Sequence, residues 1–272
     1  MSAKKKSKQT NSKKKSVTKN FSKENERAFK KYFPEYVKKK VTRVPILDIS
    51  DLERNQRIKE MREIFEVQSE SYNMDAMTIF IKDKIDSLGD SSIKISEDYS
   101  GNIYVKKGYA NTFPCIASHI DTVHMIIPDK DYLVLNSDKE FWGVNLATRG
   151  YAGIGGDDKC GIYTCLDNLV IHDNIKLAFF VNEEVGCVGS SVADMEFFDD
   201  VSFILQADRQ GYKDVASNIL NTEMYGEDFR SKIEPVLRDY YREECEGGMT
   251  DVMQLAHNEL DIAMANFSCG RS

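Results

Sequence analysis

The chain has 272 residues, of which 41% are hydrophobic and 30% charged, with a formal net charge of −7 at pH 7. This composition can fill the core of one domain of ordinary size. No apolar run approaches the roughly 20 residues that a spanning helix needs, and the first residues lack the apolar stretch of a signal peptide. The sequence therefore predicts a cytoplasmic protein with no membrane insertion. The six cysteines form no C-x-x-C pair, which favours reduced thiols.

The charge is divided unevenly along the chain. Residues 1–43 hold 14 Lys and 2 Arg against 3 Glu, or +13, whereas the rest carries 21 basic and 41 acidic residues, or −20. Residues 1–45 have little to bury, so we predict a Lys-rich, largely disordered tail or arm. Such a segment is suited to weak contact with nucleic acid or another polyanion, or to no binding at all.

The apolar pattern from residue 48 onward alternates between helix and strand. Helical spacing predicts two helices between residues 52 and 88, and period-two alternation then predicts a hairpin at 93–106. A buried strand follows at PCIA. The remaining predicted elements are a helix from about 156, a strand at 175–181, a short helix near 190–198, a strand at 201–207, helices near 226–244 and 250–258, and a last strand in LDIAMANFSCG. This order predicts an α/β fold with a mixed, mostly parallel central sheet flanked by helices.

Acidic residues and a histidine stand where apolar segments end. They are His119 and Asp121 after PCIA, Asp157 before a helix, the pair Glu183 and Glu184 after LAFFV, and Asp208 after SFILQA. In an open α/β sheet, ligand sites form beyond the carboxyl ends of the strands. Each group alone is weak evidence of a site, but together they predict one shared crevice.

Several carboxylates in one crevice repel each other unless divalent cations neutralise them. Imidazole and carboxylate ligands without cysteine suit zinc, cobalt or manganese. His119 and Asp121 lie two residues apart and share a face of an extended chain, so Asp121 can orient the imidazole. The adjacent glutamates point opposite ways, which lets one bind metal while the other accepts a proton from water.

The motifs SHIDT, GIGGDDKCG, NEEVGCVGS and QADRQG resemble, in order and spacing, those of the co-catalytic di-zinc exopeptidases typified by peptidase T and related aminoacylases and carboxypeptidases. The resemblance covers about residues 50–270. It implies a three-layer sandwich of the zinc exopeptidase type, two divalent ions with zinc first and cobalt or manganese as alternatives, and a small peptide as substrate. Residues 46–272 would form the catalytic domain of an aminopeptidase or tripeptidase.

The resemblance also implies a role for each matching residue. Water activated between the two ions would attack the peptide carbonyl. By position, His119 and Asp208 would bind one ion, Asp157 would bridge both, Glu184 would bind the other, Glu183 would be the general base, Asp121 would support His119, and Gly156 and Lys159 would shape the turn.

The sequence departs from this family at two points. The family has a ligand histidine after its last core strand, but NFSCGRS supplies none, so we expect a catalytic domain that stops short of it. His124 is a possible substitute, ahead of His172 and His257. Only about forty residues separate Asp208 from the GGMTD segment, which leaves no room for the family's inserted lid.

The alternatives differ in chemistry. An amidohydrolase acting on N-acyl amino acids would share the fold. A non-catalytic protein would use the Lys-rich tail to bind a polyanion, and a cysteine hydrolase would use Cys187 or Cys269. Asp251 of GGMTD is either part of a substrate-side loop or a simple helix-start charge. The sequence indicates no oligomeric state.

Overall fold

A computed structural model describes residues 51–137, 140–240 and 242–271. The tail predicted for residues 1–45 lies outside them. Within these ranges no helix is both long and apolar enough to cross a membrane. The helices are α1 (Asp51–Glu66), α2 (Asp75–Asp86), α3 (Gly156–Ile171), α4 (Val188–Ser191), a 3-10 helix at Met195–Phe198, α5 (Glu227–Asp239) and α6 (Asp251–His257). The strands are β1 (Ile93–Glu97), β2 (Ile103–Lys107), β3 (Phe113–His119), β4 (Tyr132–Asn136), β5 (Phe141–Asn145), β6 (Gly150–Ala152), β7 (Ile175–Phe180), β8 (Val201–Gln210), β9 (Asp214–Ile219), β10 (Thr222–Glu223), β11 (Glu243–Gly247) and β12 (Ala263–Arg271).

The main sheet has nine strands in the order β1-β2-β7-β3-β8-β12-β9-β10, with β11 also paired to β9. Its centre is parallel, because β3 pairs in parallel with both β7 and β8, and β8 with β12. Antiparallel strands flank this centre: β1 and β2 on one side, and β9 and β10 on the other. The predicted mixed, mostly parallel sheet is confirmed.

Helices cover both faces of the sheet. Strand β7 is buried along its whole length, and its side chains alternate between the two layers. Leu177 and Phe179 pack with Ile81 of α2 and Ile162 of α3. Ala178 and Phe180 face the layer that contains α5 and α6. A strand buried on both faces has no polar side, which is why IKLAFF is a continuous apolar run.

Most predicted elements are present, including the two N-terminal helices, the 93–106 hairpin and the strand at PCIA. The helix predicted at 226–244 is wrong in its last part. It ends at Asp239, and Glu243–Gly247 forms β11, parallel to β9. Because β11 is an edge strand whose acidic side chains are largely exposed, its sequence EECEG lacks the apolar pattern of a strand.

Two further differences affect the site. The small antiparallel sheet β4-β5-β6, which lies between the His119 and Asp157 motifs, is not predicted from the sequence. Strand β8 is predicted to end at residue 207, but it continues to Gln210. Asp208 is therefore held inside a strand by pairing with β12, and does not follow the strand as predicted.

Candidate active site

His119 is the last residue of β3, and its ring is fully buried. Its Nδ1 lies 3.0 Å from the main-chain oxygen of Asp121, which directs Nε2 toward a group of carboxylates. The distances from Nε2 are 3.0 Å to Asp157 Oδ1, 3.6 Å to Asp208 Oδ1 and 3.8 Å to Glu183 Oε2. Burial opposes protonation of the ring, but hydrogen bonds to the surrounding aspartates outweigh it and raise the pKa of His119 well above its usual value.

The carboxylate of Asp121 connects the His119 strand to the glutamate pair. It accepts hydrogen bonds from the main-chain N–H groups of Glu183 at 2.9 Å and Glu184 at 3.2 Å, and from Ser71 Oγ at 2.7 Å. Its Oδ1 also lies 3.5 Å from His119 Nδ1. Although burial acts in the other direction, the hydrogen bond and charge of His119, followed by the bonds from Ser71 and Glu183, lower the pKa of Asp121 and keep it ionised. Asp121 therefore fixes both the imidazole and the glutamate segment.

Asp157 and Asp158 begin α3, where the backbone of both is non-helical. Asp157 faces the crevice, and burial raises its pKa. Asp158 points inward and is fully buried; its Oδ1 accepts from the N–H of Gly161 at 3.0 Å, whereas its Oδ2 has no hydrogen-bond partner. An unsatisfied buried carboxylate oxygen is costly, so this atom is suited to a cation or a proton.

Buried polar side chains on the interior side of the crevice hold Asp208 in place. Its Oδ2 accepts hydrogen bonds from Thr250 Oγ1 at 3.1 Å and, more weakly, from Gln206 Nε2 at 3.4 Å. Asn266 accepts from the main-chain N–H of Asp208 at 3.0 Å and donates to Thr250 Oγ1 at 3.1 Å. The network links β8, β12 and the start of α6, so the position of Asp208 is set by three elements.

The two glutamates occupy the loop after β7 and reach the same crevice. Burial, followed by the charges of neighbouring carboxylates, raises the pKa of Glu183 to about 8 and that of Glu184 to about 7, although His119 acts in the other direction. Cys187 donates to Glu183 Oε1 over 3.5 Å. Burial raises the pKa of the Cys187 thiol, which does not suit a nucleophile.

Two sets of ligand atoms, each within 4.8 Å of one another, could hold a metal ion: one from His119, Asp157 and Glu184, and one from His119, Asp158 and Asp208. The donor set is imidazole and carboxylate, which fits zinc, cobalt or manganese. The unpaired Asp158 oxygen and the raised glutamate pKa values fit a bound cation too. The residues present are therefore compatible with a divalent metal.

The structure brings together all six residues singled out from the sequence, which are His119, Asp121, Asp157, Glu183, Glu184 and Asp208. Neither metal-binding set contains another histidine within the described part of the chain. His257 ends α6 beside Thr222, and His172 follows α3. His124 packs against Gly153 and lines a cavity that also reaches Asp157.

Two buried acids lie beside the site without being among the six predicted residues, Asp158 and Asp251. The pair DD is the sequence signal for Asp158, but the family resemblance gives the ligand position to Asp157. For Asp251 the sequence leaves two alternatives, a loop residue or a helix-start charge. Asp251 does begin α6, but it is fully buried, accepts from Ser190 Oγ at 2.6 Å and from Gln206 Nε2 at 3.2 Å, and has its pKa raised to about 7 by burial. It belongs to the network beneath Asp208.

The sequence matches no protein-family model and no curated protein. Among solved structures, the chain is similar to the aminopeptidase PepT of Bacillus cereus, with a TM-score of 0.58, 13% identity, and coverage of 79% of this chain and 90% of that one. An aminopeptidase of the archaeon Desulfurococcus kamchatkensis has a TM-score of 0.56 and 15% identity, and the match covers 79% of this chain and 87% of that one. A tripeptidase of Staphylococcus aureus has a TM-score of 0.50 and 20% identity, and the match covers 61% of this chain. The chain spans 46% of the length of that tripeptidase. The protein therefore has the α/β fold of these exopeptidases.

Proposed function

We propose that the protein is a metal-dependent exopeptidase, of aminopeptidase or tripeptidase type, that hydrolyses small peptides. The observation that carries this proposal is the convergence of one buried imidazole and four carboxylates, from β3, α3, the loop after β7 and β8, on one crevice. The crevice opens into a cavity of about 770 Å³ lined by Glu183, Glu184 and Asp208. A cavity of this size accommodates a short peptide.

His119, Asp157, Glu184 and Asp208 are the residues that would hold the metal in this proposal. A divalent ion in such a site supplies Lewis acidity, which makes water a stronger acid and a carbonyl carbon more electrophilic. Asp121 keeps the proton of His119 on Nδ1, so Nε2 can offer its lone pair to the ion. Asp158 lies close enough to His119 and Asp208 to replace a ligand in one of the two sites.

Glu183 is the general base in this proposal. Its Oε2 lies 3.8 Å from His119 Nε2, and its main-chain N–H donates to Asp121 Oδ1 at 2.9 Å. The Oε2 atom takes a proton as water attacks the peptide carbonyl, and then delivers it to the departing amine nitrogen. A carboxylate within reach of both the water and the amine nitrogen can act first as a base and then as an acid.

The test is hydrolysis by the purified 272-residue chain supplied in turn with zinc, cobalt and manganese. One panel contains free dipeptides and tripeptides, and the other contains N-acyl amino acids. The proposal expects metal-dependent release of amino acids from the free peptides. Cleavage of N-acyl amino acids alone would replace it with an amidohydrolase, and cleavage of neither panel by a metal-loaded protein would refute it.

A further inference from the structure

A second cavity, of about 800 Å³, lies on the other side of Asp157 and Glu184 from the carboxylate cavity. We propose that this aromatic pocket binds a large apolar side chain, that of leucine or phenylalanine, from a residue flanking the scissile bond. The proposal rests on the proposed function and deepens it, because it names the class of peptide that the site would prefer.

The walls of the aromatic pocket come from α1 and from the small sheet β4-β5-β6. Ile58, Met61 and Phe65 of α1 form one wall, and Phe141 and Trp142 of β5 form the opposite one. The rings of Phe65 and Phe141 pack with their centroids 5.0 Å apart, so the two walls are joined at the base. Neither element carries a proposed metal ligand. The face of the small sheet that lines the cavity can therefore contact a substrate side chain without holding the metal.

The position of the pocket connects it to catalysis. Asp157 and Glu184 line both cavities, so the metal ligands form the boundary between them. A peptide whose carbonyl lies at these carboxylates has side chains on neighbouring carbon atoms, and one of them can enter the aromatic pocket without displacing the backbone.

The two cavities differ in polarity. Beyond the carboxylates, the first cavity is lined by Arg209, Lys213 and Asp214 and offers more polar than apolar surface. Arg54, His124 and Glu140 also line the aromatic pocket, but its surface is more apolar than polar. An apolar side chain gains free energy only where it leaves water, so it is directed to the aromatic pocket. Burying leucine rather than alanine there should raise kcat/KM about 10-fold to 100-fold.

The first experiment measures kcat/KM of the metal-loaded full chain for Leu-Ala-Ala, Ala-Leu-Ala, Ala-Ala-Ala and Asp-Ala-Ala. We expect one leucine peptide to exceed Ala-Ala-Ala by at least 10-fold, and Asp-Ala-Ala to be poor. Trp142→Ala should lower the leucine-to-alanine ratio at least 5-fold by removing a wall. Ala152→Leu, which fills the pocket from β6, should lower it as well.

The matched control is Tyr109→Ala, since Tyr109 is 81% exposed in the turn before β3, at the opposite end of that strand from His119. This variant should keep the ratio of the unchanged chain. An equal preference for leucine, alanine and aspartate, or a ratio that survives both pocket substitutions, would overturn the proposal.

A second measurement is independent of hydrolysis. Trp142 is the only tryptophan in the chain, so intrinsic tryptophan emission reports on the pocket alone. Titration with leucinamide should shift or quench this emission saturably, and glycinamide should not. A saturable response without peptide hydrolysis would support the pocket and refute the proposed function. Peptide hydrolysis with no change in tryptophan emission and no leucine preference would support the proposed function and refute the pocket.

Discussion

At the amino end of the central parallel strands, Asp200 is paired with two lysines, Lys106 of β2 and Lys176 of β7. The lysines also lie over aromatic rings, Lys106 at 4.4 Å from the centroid of Phe113 and Lys176 at 4.3 Å from that of Phe197. At the carboxyl end, by contrast, Glu183 and Glu184 lie among further acids, and His119 is the residue that opposes their raised pKa values.

The charged residues at the two ends of the same sheet therefore differ in their proposed role, which is stabilisation of the fold at the amino end and binding and catalysis at the carboxyl end. Each charge of the Asp200 cluster has an opposite charge or an aromatic ring beside it, so the cluster stabilises the fold without a bound ion. The carboxyl end gathers like charges that destabilise the folded chain until protons or cations bind. Carboxylates that accumulate at the carboxyl ends of the central strands, with one imidazole among them, are therefore the feature that supports the proposed metal site.

The largest expected effect is on catalysis at the carboxyl end. Glu183→Gln keeps the side-chain shape but removes the proton acceptor, so kcat should fall about 10²-fold to 10⁴-fold. Metal content, measured by elemental analysis, should stay unchanged because Glu183 is not assigned as a ligand. Glu196→Gln, at an exposed glutamate of the 3-10 helix, is the control. Activity of Glu183→Gln within about 3-fold of the unchanged chain would exclude this residue as the base.

The next effect is the stabilisation of the folded chain by metal. An ion that binds only the folded state at 100 times its dissociation constant adds about 2.7 kcal/mol to the free energy of unfolding. We expect zinc to raise the melting temperature measured by calorimetry. His119→Asn should abolish most of that increase, whereas His257→Asn should keep it. Equal zinc responses in the two variants would place the ion elsewhere.

At the amino end, Asp200→Asn should destabilise the protein by about 1 kcal/mol. The substitution leaves Lys176, which is 3% exposed, without its carboxylate partner. Urea unfolding of the metal-free chain measures the change. A variant as stable as the unchanged chain would show that the cluster contributes no net stability.

An aspartate-to-asparagine substitution at the carboxyl end should raise, rather than lower, the free energy of unfolding of the metal-free chain. Asp208→Asn removes one of several like charges and keeps an oxygen for Thr250, so the metal-free chain should become more stable by up to about 1 kcal/mol. Zinc affinity should fall in parallel. If Asp208→Asn destabilises the metal-free chain as much as Asp200→Asn does, the two ends do not differ in charge compensation.

The difference between the two ends also shows what sequence reasoning can reach. The carboxyl end was predictable because the proposed ligands stand close to the ends of apolar segments, as His119 lies two residues after PCIA and Glu183 two residues after LAFFV. Parallel strands then bring these residues together by topology. The amino end was not predictable, because Lys106, Lys176 and Asp200 have no characteristic spacing and meet only through the register of β2 and β7.

The missed elements share a physical cause. Strands β4 to β6, β10 and β11 are short or lie at edges, where exposed positions accept polar residues and dilute the apolar pattern. The interior network of Asp251, Gln206 and Thr250 also had no local signal. Each of these side chains is satisfied by distant residues, so its burial follows from tertiary packing.

The smallest effect is the pH dependence of the amino-end cluster. Although burial opposes it, hydrogen bonds to Lys106 and Lys176 lower the pKa of Asp200 in the folded state. The folded chain thus binds fewer protons than the unfolded chain, so the contribution is complete above the unfolded pKa of about 3.9 and is lost as the pH falls through the folded value. The stability difference between the unchanged chain and Asp200→Asn, measured by urea unfolding with chelator present, should be constant from pH 7 to 5 and shrink below about pH 4. A difference that instead disappeared between pH 7 and 5 would assign the effect to another group, because an aspartate with a lowered pKa stays ionised throughout that range.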